Sequence, residues 1–547
     1  MNLYSKSNHA QWWYGDASSL TIGMEAIQTA IQKVGRTVYI IDRGGRECAV
    51  THSGGAVCGD INHQADQRHP LIGMVPPLAP DSLGDPSFKA DFGLRYAYIV
   101  GAMANGITSV DMVRAAGEFG IIGFFGSGGL SLNQVDEAIG RLQAGQERFA
   151  YGFNLIHSPN DPQLETAIVE LYLKREVRRV SASAYLGLTL PLVYYRIKGI
   201  HQTPDGHIVC PNRVIAKVSR VEVARHFFSP PPDTLLRQLV SQGKLNETEA
   251  QLARHVPMAQ DMTAEADSGG HTDNRPAVTL LPTFLALRDE CQAANKFPMP
   301  LRVGLAGGIA TPAATAAAFT MGAAYVLTGS VNQSCIEADT SPAVRQMLVQ
   351  ARQADVTMAP AADMFELGAK VQVLKRGTMF AMRGAKLYEL YRNYDAYDQI
   401  PEKIRLSIEK DLLRSTFGQA WEQTRHFFEE RDPGQIQRAQ QNPKHKMALV
   451  FRSYLGQASL WAKTGEPNRA IDYQIWCGPA MGAFNAWARG SFLEGADQRR
   501  IDTIAMNLLY AAAVQIRYHW LQCQGVRLPH LSLRPLTVQD IEERMKA

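Results

Sequence analysis

Disulfide frameworks, zinc clusters and membrane spans each leave marks that this 547-residue chain lacks. Its seven cysteines are scattered, with no CxxC pair and no Cys/His cluster, so neither a disulfide scaffold nor a metal site is expected. That usage fits a reducing cytosol, and a cytoplasmic location is the expectation. No run approaches the roughly 20 consecutive apolar residues of a membrane span. The opening stretch, "MNLYSKSNHAQWWYGD", lacks the apolar core of a signal peptide. Excess charge is missing too: 56 Lys and Arg against 52 Asp and Glu leave a net +4, which gives no footing for nucleic acid or a membrane surface. There is no internal repeat and no low-complexity tract.

What the chain has is length and alternation. It can bury a large core and hold two or more domains. Residues 1–90 read as a small mixed region, with "TVYIID" and "ECAVTHSGGAVCG" as short strands parted by Gly-rich turns. "IGMVPPLAPDSLGDP" reads as a linker, because its prolines forbid regular structure. From about 95, apolar runs alternate with helical stretches. The runs are "YAYIVGA", "GIIGFFG", "FAYGFNL", "VRRVSAS", "RVIAKVS", "DMTAEADS", "LRVGLAGG" and "AAYVLTGS". Helical segments such as "TSVDMVRAAGEFG", "LNQVDEAIGRLQ" and "DPQLETAIVELYLKR" lie between several of them.

Such alternation predicts parallel strands with crossover helices. Eight units over residues 91–345 predict an α/β fold of the (β/α)8 TIM barrel type. A doubly wound open sheet is the other reading, although eight strands is long for it. The intervals 184–212 and 229–258 are too long for simple connections and read as insertions. "GIHQTPDGHIVC" in the first is a predicted hairpin with Asp205-Gly206 at its turn. Beyond 345 the chain reads almost entirely as helix: a helical lid or substrate region over 346–400, then a C-terminal helical region over 401–547.

Chemistry concentrates at predicted strand ends. In "LRVGLAGGIATPAATAAAFTMGAAYVLTGS", Gly307 and Gly308 close one strand, and Thr311-Pro312 start a helix well. Thr328, Gly329 and Ser330 close the next strand. Barrels commonly hold a phosphate at this place, so the stretch reads as a monophosphate cradle or, more plainly, as strand-end turns. "AEADSGGHTDN" places His271 just past a strand, where it can exchange a proton near neutral pH or sit on the surface.

A strand into "GAMANGITS", one into "GFNL", one into "EADSGGH" and the Gly-Gly/Gly-Ser stretch together resemble the FMN barrel family of nitronate monooxygenases and flavin enoyl-thioester reductases. The block "MAPAADMFELGAKVQVLKRGTMFAMRGAKLYELYRNY" resembles more specifically the PfaD-type trans-acting enoyl reductases of polyunsaturated fatty acid and trans-acyltransferase polyketide synthases. The resemblance implies residue roles. Backbone at Ala102, Met103 and Ala104 contacts the flavin ring, and Asn154 hydrogen-bonds it. Gly307, Gly308, Gly329 and Ser330 hold the phosphate, and His271 is the catalytic histidine. Lys217 sits near flavin N1/O2 or else snorkels to the rim.

The resemblance also implies an activity. NADPH reduces FMN, and reduced FMN reduces the 2,3 double bond of an enoyl thioester carried on an acyl carrier protein. His271 or a bound water supplies the proton. No GxGxxG motif opens a βαβ unit, which fits a nicotinamide that docks transiently. A homodimer is expected from the family. Nitronate monooxygenase and a non-catalytic megasynthase scaffold are the competing readings. Candidate docking surfaces for an acidic carrier are Lys174, Arg175, Arg178 and Arg179, or Lys444, Lys446 and Arg452; either set also reads as a solvated helix face. Cys335 reads as a small buried residue rather than a nucleophile. Trp12, Trp13, Trp476 and Trp520 read as core or interface. Met358, Met364, Met379 and Met382 suit either an acyl lining or the core.

Overall fold

Each of the eight apolar runs becomes a parallel strand: β1 (Tyr98–Val100), β2 (Ile122–Phe125), β3 (Tyr151–Ile156), β4 (Arg179–Ser183), β5 (Arg213–Val218), β6 (Asp261–Glu265), β7 (Arg302–Ala306) and β8 (Val326–Thr328). In the computed structural model, which describes residues 11–44, 47–58, 68–145, 149–158, 162–528 and 530–546, they close into a barrel in sequence order, β8 pairing with β1 through Val326↔Tyr98. The expected (β/α)8 barrel is the fold. Residues 1–10, most of the stretch weighed above as a leader, lie outside the described residues.

Local chemistry sets the helices between the strands. The Ser109 hydroxyl accepts from the Met112 amide at 3.0 Å and starts α1 (Val110–Phe119). Ser131 and Gln134 form a reciprocal capping box at α2 (Leu132–Gln143). Thr311 Oγ1 accepts from the Ala314 amide at 3.2 Å and starts α7 (Pro312–Thr320), as its sequence predicts. Helices α3 (Pro162–Lys174), α4 (Leu190–Ile197), α5 (Val221–Phe227) and α6 (Ala277–Asn295) complete that series. The strand-start end of the barrel is pinned by buried Arg302, whose guanidinium donates to both oxygens of Asp261 at 2.7 and 3.1 Å. The interval 184–212 holds α4 and the predicted hairpin, His201–Gln202 against Ile208–Val209.

Three readings of the sequence need correction. The linker is one. Arg68–Val75 is a strand of a six-stranded N-terminal sheet, so the first four residues of "IGMVPPLAPDSLGDP" are extended and paired. The prolines begin only at 76, where the strand has ended. The almost entirely helical reading beyond 345 is another. β9 (Val356–Pro360) and β10 (Lys370–Leu374) form an antiparallel hairpin. The free edge of β10 takes up Gly270–His271 and, end to end with it, Ile475–Cys477. Both strands are short and rich in β-branched residues, which favours pairing over helix once an edge is available.

The third correction concerns α10 (Ile501–Cys523), read as part of a C-terminal helical region beyond the barrel. It packs against α7 and α1 on the outside of the barrel, the place of the helix that should follow β8. The chain therefore leaves the barrel after β8, builds the β9–β10 hairpin and the helices that include α8 (Pro443–Thr464) and α9 (Ala480–Ala488), and returns to close the outer ring. α10 also ties down the N-terminal region: Arg517 donates to the Lys33 and Arg36 carbonyls, each at 2.7 Å, and Tyr510 to the Gln32 carbonyl at 2.8 Å.

Candidate active site at the barrel mouth

The glycine cradle lies at the strand-exit end. Gly307 and Gly308 follow β7 with φ of +85° and +77°, a left-handed backbone that a side chain would strain. Their surroundings differ. A Cβ on Gly307 would stand 2.6 Å from the Ala266 carbonyl carbon, so this glycine lets β7 close against the end of β6. A Cβ on Gly308, or on Gly329 after β8, would meet no atom within 4 Å. The amide N–H groups of Gly308, Gly329 and Ser330 have no hydrogen-bond partner among the described residues. Unpaired donors at uncrowded glycines fit an anion such as a phosphate. Ser330 Oγ accepts from the Gly478 amide at 3.0 Å, which brings the "CGPA" segment between β10 and α9 to the cradle.

Across the mouth, Ala102, Met103 and Ala104 follow β1. The Met103 amide donates to Thr108 Oγ1 at 2.9 Å, and that hydroxyl donates to the Gly101 carbonyl at 2.8 Å, so the loop is rigidly folded. Asn154, on β3, is buried. Its Oδ1 accepts from Ser183 Oγ at 3.0 Å, while its amide nitrogen has no partner among the described residues and is left for a ligand. α8 braces the first rim loop from outside, with Lys463 Nζ on the Asn105 carbonyl at 2.6 Å and Asn105 Nδ2 on Ser459 Oγ at 3.0 Å.

Two ion pairs stand between these walls. Lys217, at the end of β5, pairs with Glu265, at the end of β6, and Ser268 Oγ donates to the same carboxylate at 3.1 Å. The Lys217 charge is therefore shared with a carboxylate. His271 Nε2 lies 3.3 Å from Asp363 Oδ1, on the loop between β9 and β10. Partial burial disfavours the charged form of both groups, whose side chains are 40% and 58% exposed, and the pairing outweighs it: the His271 pKa is raised above its ordinary value and that of Asp363 is lowered. Sequence reasoning assigned no role to Glu265, Asp363 or Gly478, and nothing local to any of them signals that they meet here.

Other candidates fall elsewhere. Arg178 and Arg179 stand at the entry to β4, the end opposite the mouth, and Arg178 pairs with Glu176. Arg175 pairs with Asp136 at 3.0 Å. In the second cluster Lys444 pairs with Asp395 at 2.9 Å, Lys446 lies over the Trp421 ring, and Arg452 holds the β9–β10 loop. Cys335 is fully buried, and burial pushes its thiol well up, which leaves it inert. Trp13 is core, whereas Trp520 is 43% exposed; Met379 and Met382 are exposed. No group of three or more potential metal ligands occurs among the described residues, and no helix there is long and apolar enough to cross a membrane.

A closed barrel whose mouth gathers unpaired glycine amides, a buried amide and an imidazole–carboxylate pair defines a (β/α)8 fold with a mouth suited to an anionic ligand. Residues 87–376 match the family model described as nitronate monooxygenase, and the chain belongs to that family. Residues 394–473 match the inserted helical domain of acyl-carrier-protein S-malonyltransferase. The chain is 45% identical over 440 residues to one of the subunits of the polyunsaturated fatty acid synthase of Thraustochytrium sp., covering 80% of this chain and 29% of that protein. It is 44% identical over 456 residues to polyketide biosynthesis protein PksE of Bacillus subtilis, covering 83% and 58%. It thus spans less than two thirds of these curated relatives. Among solved structures, the enoyl reductase domain of MlnA from the macrolactin biosynthesis cluster of Bacillus amyloliquefaciens matches with a TM-score of 0.77 and 38% identity, over 80% of this chain and 99% of that one.

Proposed function

We propose that the chain is an FMN-dependent enoyl reductase that draws on NADPH to saturate the 2,3 double bond of enoyl thioesters on acyl carrier proteins, in polyunsaturated fatty acid or polyketide assembly. The observation that carries this reading is the meeting, at one barrel mouth, of the unpaired amides of Gly308, Gly329 and Ser330 with the His271–Asp363 pair. The likeness to the MlnA enoyl reductase domain supports the reaction, and the helical segment shared with acyl-carrier-protein S-malonyltransferase supports a carrier-bound substrate.

FMN held at the mouth would supply the redox chemistry that no side chain here provides, the relay of a hydride from NADPH to the β-carbon of the thioester. The glycine amides anchor its phosphate. The amide nitrogen of Asn154 would donate to the ring, and the backbone at Ala102, Met103 and Ala104 would contact it. Lys217, balanced by Glu265, sets the local field without imposing a full net charge. His271 donates a proton to the α-carbon, so that one hydride and one proton together give the saturated thioester. A homodimer in the cytoplasm is part of the same reading.

Purified protein should show a flavin spectrum that bleaches with NADPH under anaerobic conditions and returns on adding a crotonyl thioester. Reoxidation by oxygen alone, with oxidation of a nitronate and no need for NADPH, would instead favour the monooxygenase reading. Failure to bind FMN would favour a scaffold.

A further inference from the structure

The block "MAPAADMFELG" is the most specific stretch of the sequence, yet the reaction above gives it no task. We propose that Asp363, within it, is the positioning residue for His271: the β9–β10 loop places a carboxylate 3.3 Å from imidazole Nε2, an ion-pair distance, and so holds the ring as a proton donor. The proposal rests on the enoyl reductase reading.

The geometry is built rather than incidental. His271 and the loop belong to one sheet, since His271↔Val371 and Pro360↔Lys370 share strand β10. The Ala361 amide donates to the Ala369 carbonyl at 3.0 Å and closes the loop neck. On one side of Asp363, Arg452 from α8 donates to the Ala362 carbonyl at 2.9 Å and to Glu366 at 3.1 Å. That second bond pairs the arginine charge with Glu366. On the other side, buried Phe365 packs between Tyr388 and Tyr391, with ring centroids 5.4 and 5.3 Å away. The Met364 amide donates to Asp363 Oδ1 at 3.1 Å and fixes the carboxylate. The charged groups that act on His271 are Asp363 from this loop, Lys217 from β5 and Glu265 from β6; because Lys217 and Glu265 neutralise each other, Asp363 sets the balance.

The test separates the half-reactions in the holoenzyme. Asp363→Asn should slow reoxidation of the reduced flavin by crotonyl thioester about tenfold or more near pH 8, where a free histidine is neutral, and little near pH 5.5. Reduction by NADPH should be unchanged, and Asp363→Glu should recover most of the loss. A second readout needs no turnover: diethylpyrocarbonate modifies only neutral imidazole, so the onset of His271 modification, followed by peptide mass spectrometry, should move to lower pH in Asp363→Asn. A loss equal at both pH values or in both half-reactions, or an unmoved modification onset, overturns the proposal. If His271→Asn slows reoxidation but Asp363→Asn does not, the Asp363 proposal fails alone. If His271→Asn leaves reoxidation untouched, the donor on which it rests fails with it. No reoxidation of the wild type by the thioester overturns the enoyl reductase reading itself.

Discussion

Three neighbouring glycines should respond to the same substitution in three different ways. Gly307→Ala puts a methyl group into left-handed backbone and 2.6 Å from the Ala266 carbonyl carbon. The strain is worth about 1–2 kcal/mol and the overpacking about 1–3 kcal/mol, so the flavin-free fold should lose about 2–5 kcal/mol. Gly308→Ala carries the same strain with no clash, and should lose only about 1–2 kcal/mol. Gly329→Ala has neither penalty; its Cβ meets open space, and reduced freedom of the unfolded chain gives a gain of up to about 1 kcal/mol. Flavin binding should rank them differently. On the proposed reading, a methyl at Gly308 or Gly329 intrudes on the open space that would take the phosphate. Losing one charge-assisted bond costs about 1.5–3 kcal/mol, or about tenfold to over a hundredfold in affinity. Thermal unfolding of the flavin-free proteins and equilibrium titration with FMN read the two effects apart. Wild-type affinity in both Gly308→Ala and Gly329→Ala would refute the cradle, and a Gly307→Ala as stable as Gly329→Ala would refute the packing account.

Arg302→Met should lower stability by about 3–5 kcal/mol in urea unfolding, because it leaves the Asp261 carboxylate buried beside β7 without its partner. Adding Asp261→Leu should recover most of that loss, and no recovery would mean the pair is not the cause. Asp472 is fully buried and takes Arg383, Arg469 at 3.1 Å and the Tyr454 hydroxyl at 2.7 Å. Asp472→Asn should open residues 394–473 to proteolysis before the barrel; simultaneous cleavage of both would count against it. The His271–Asp363 pair should also register in thermal stability. The folded state raises the His271 pKa and lowers that of Asp363, so the pair's stabilisation is present below the ordinary histidine range and is lost as pH rises through the raised value. It is lost again at low pH, once Asp363 protonates. The melting-temperature gap between wild type and Asp363→Asn should therefore be largest near pH 6 and close toward pH 9; a gap that widens with pH would contradict the pairing.

All eight barrel strands were legible in the sequence because each is a short apolar run bounded by turn residues, a signal written within a few positions. The same holds for the caps at Ser109, Ser131 and Thr311 and for the paired glycines after β7. These features depend on neighbours in the chain, and local composition is enough to set them. Lys217 and His271 were legible as candidates for the same reason, since each follows or ends a strand that must point at the mouth.

Tertiary structure alone decided the rest. Nothing local marks Ile501–Cys523 as the helix that closes a barrel whose last strand ended at Thr328; its apolar surface would suit any bundle, and only the gap between α7 and α1 assigns its place. "KVQVL" became a strand because Val356–Pro360 and Gly270–His271 offered it both edges. Asp363 and His271 lie 92 positions apart in sequence yet 3.3 Å apart in space, and Gly478 and Ser330, 148 positions apart, meet across the cradle at 3.0 Å. Those meetings depend on how far the chain travels before it returns, and on packing that becomes favourable only once the barrel has closed. The sequence by itself determined the barrel and the residue types at its mouth. The fold decided which of them face one another.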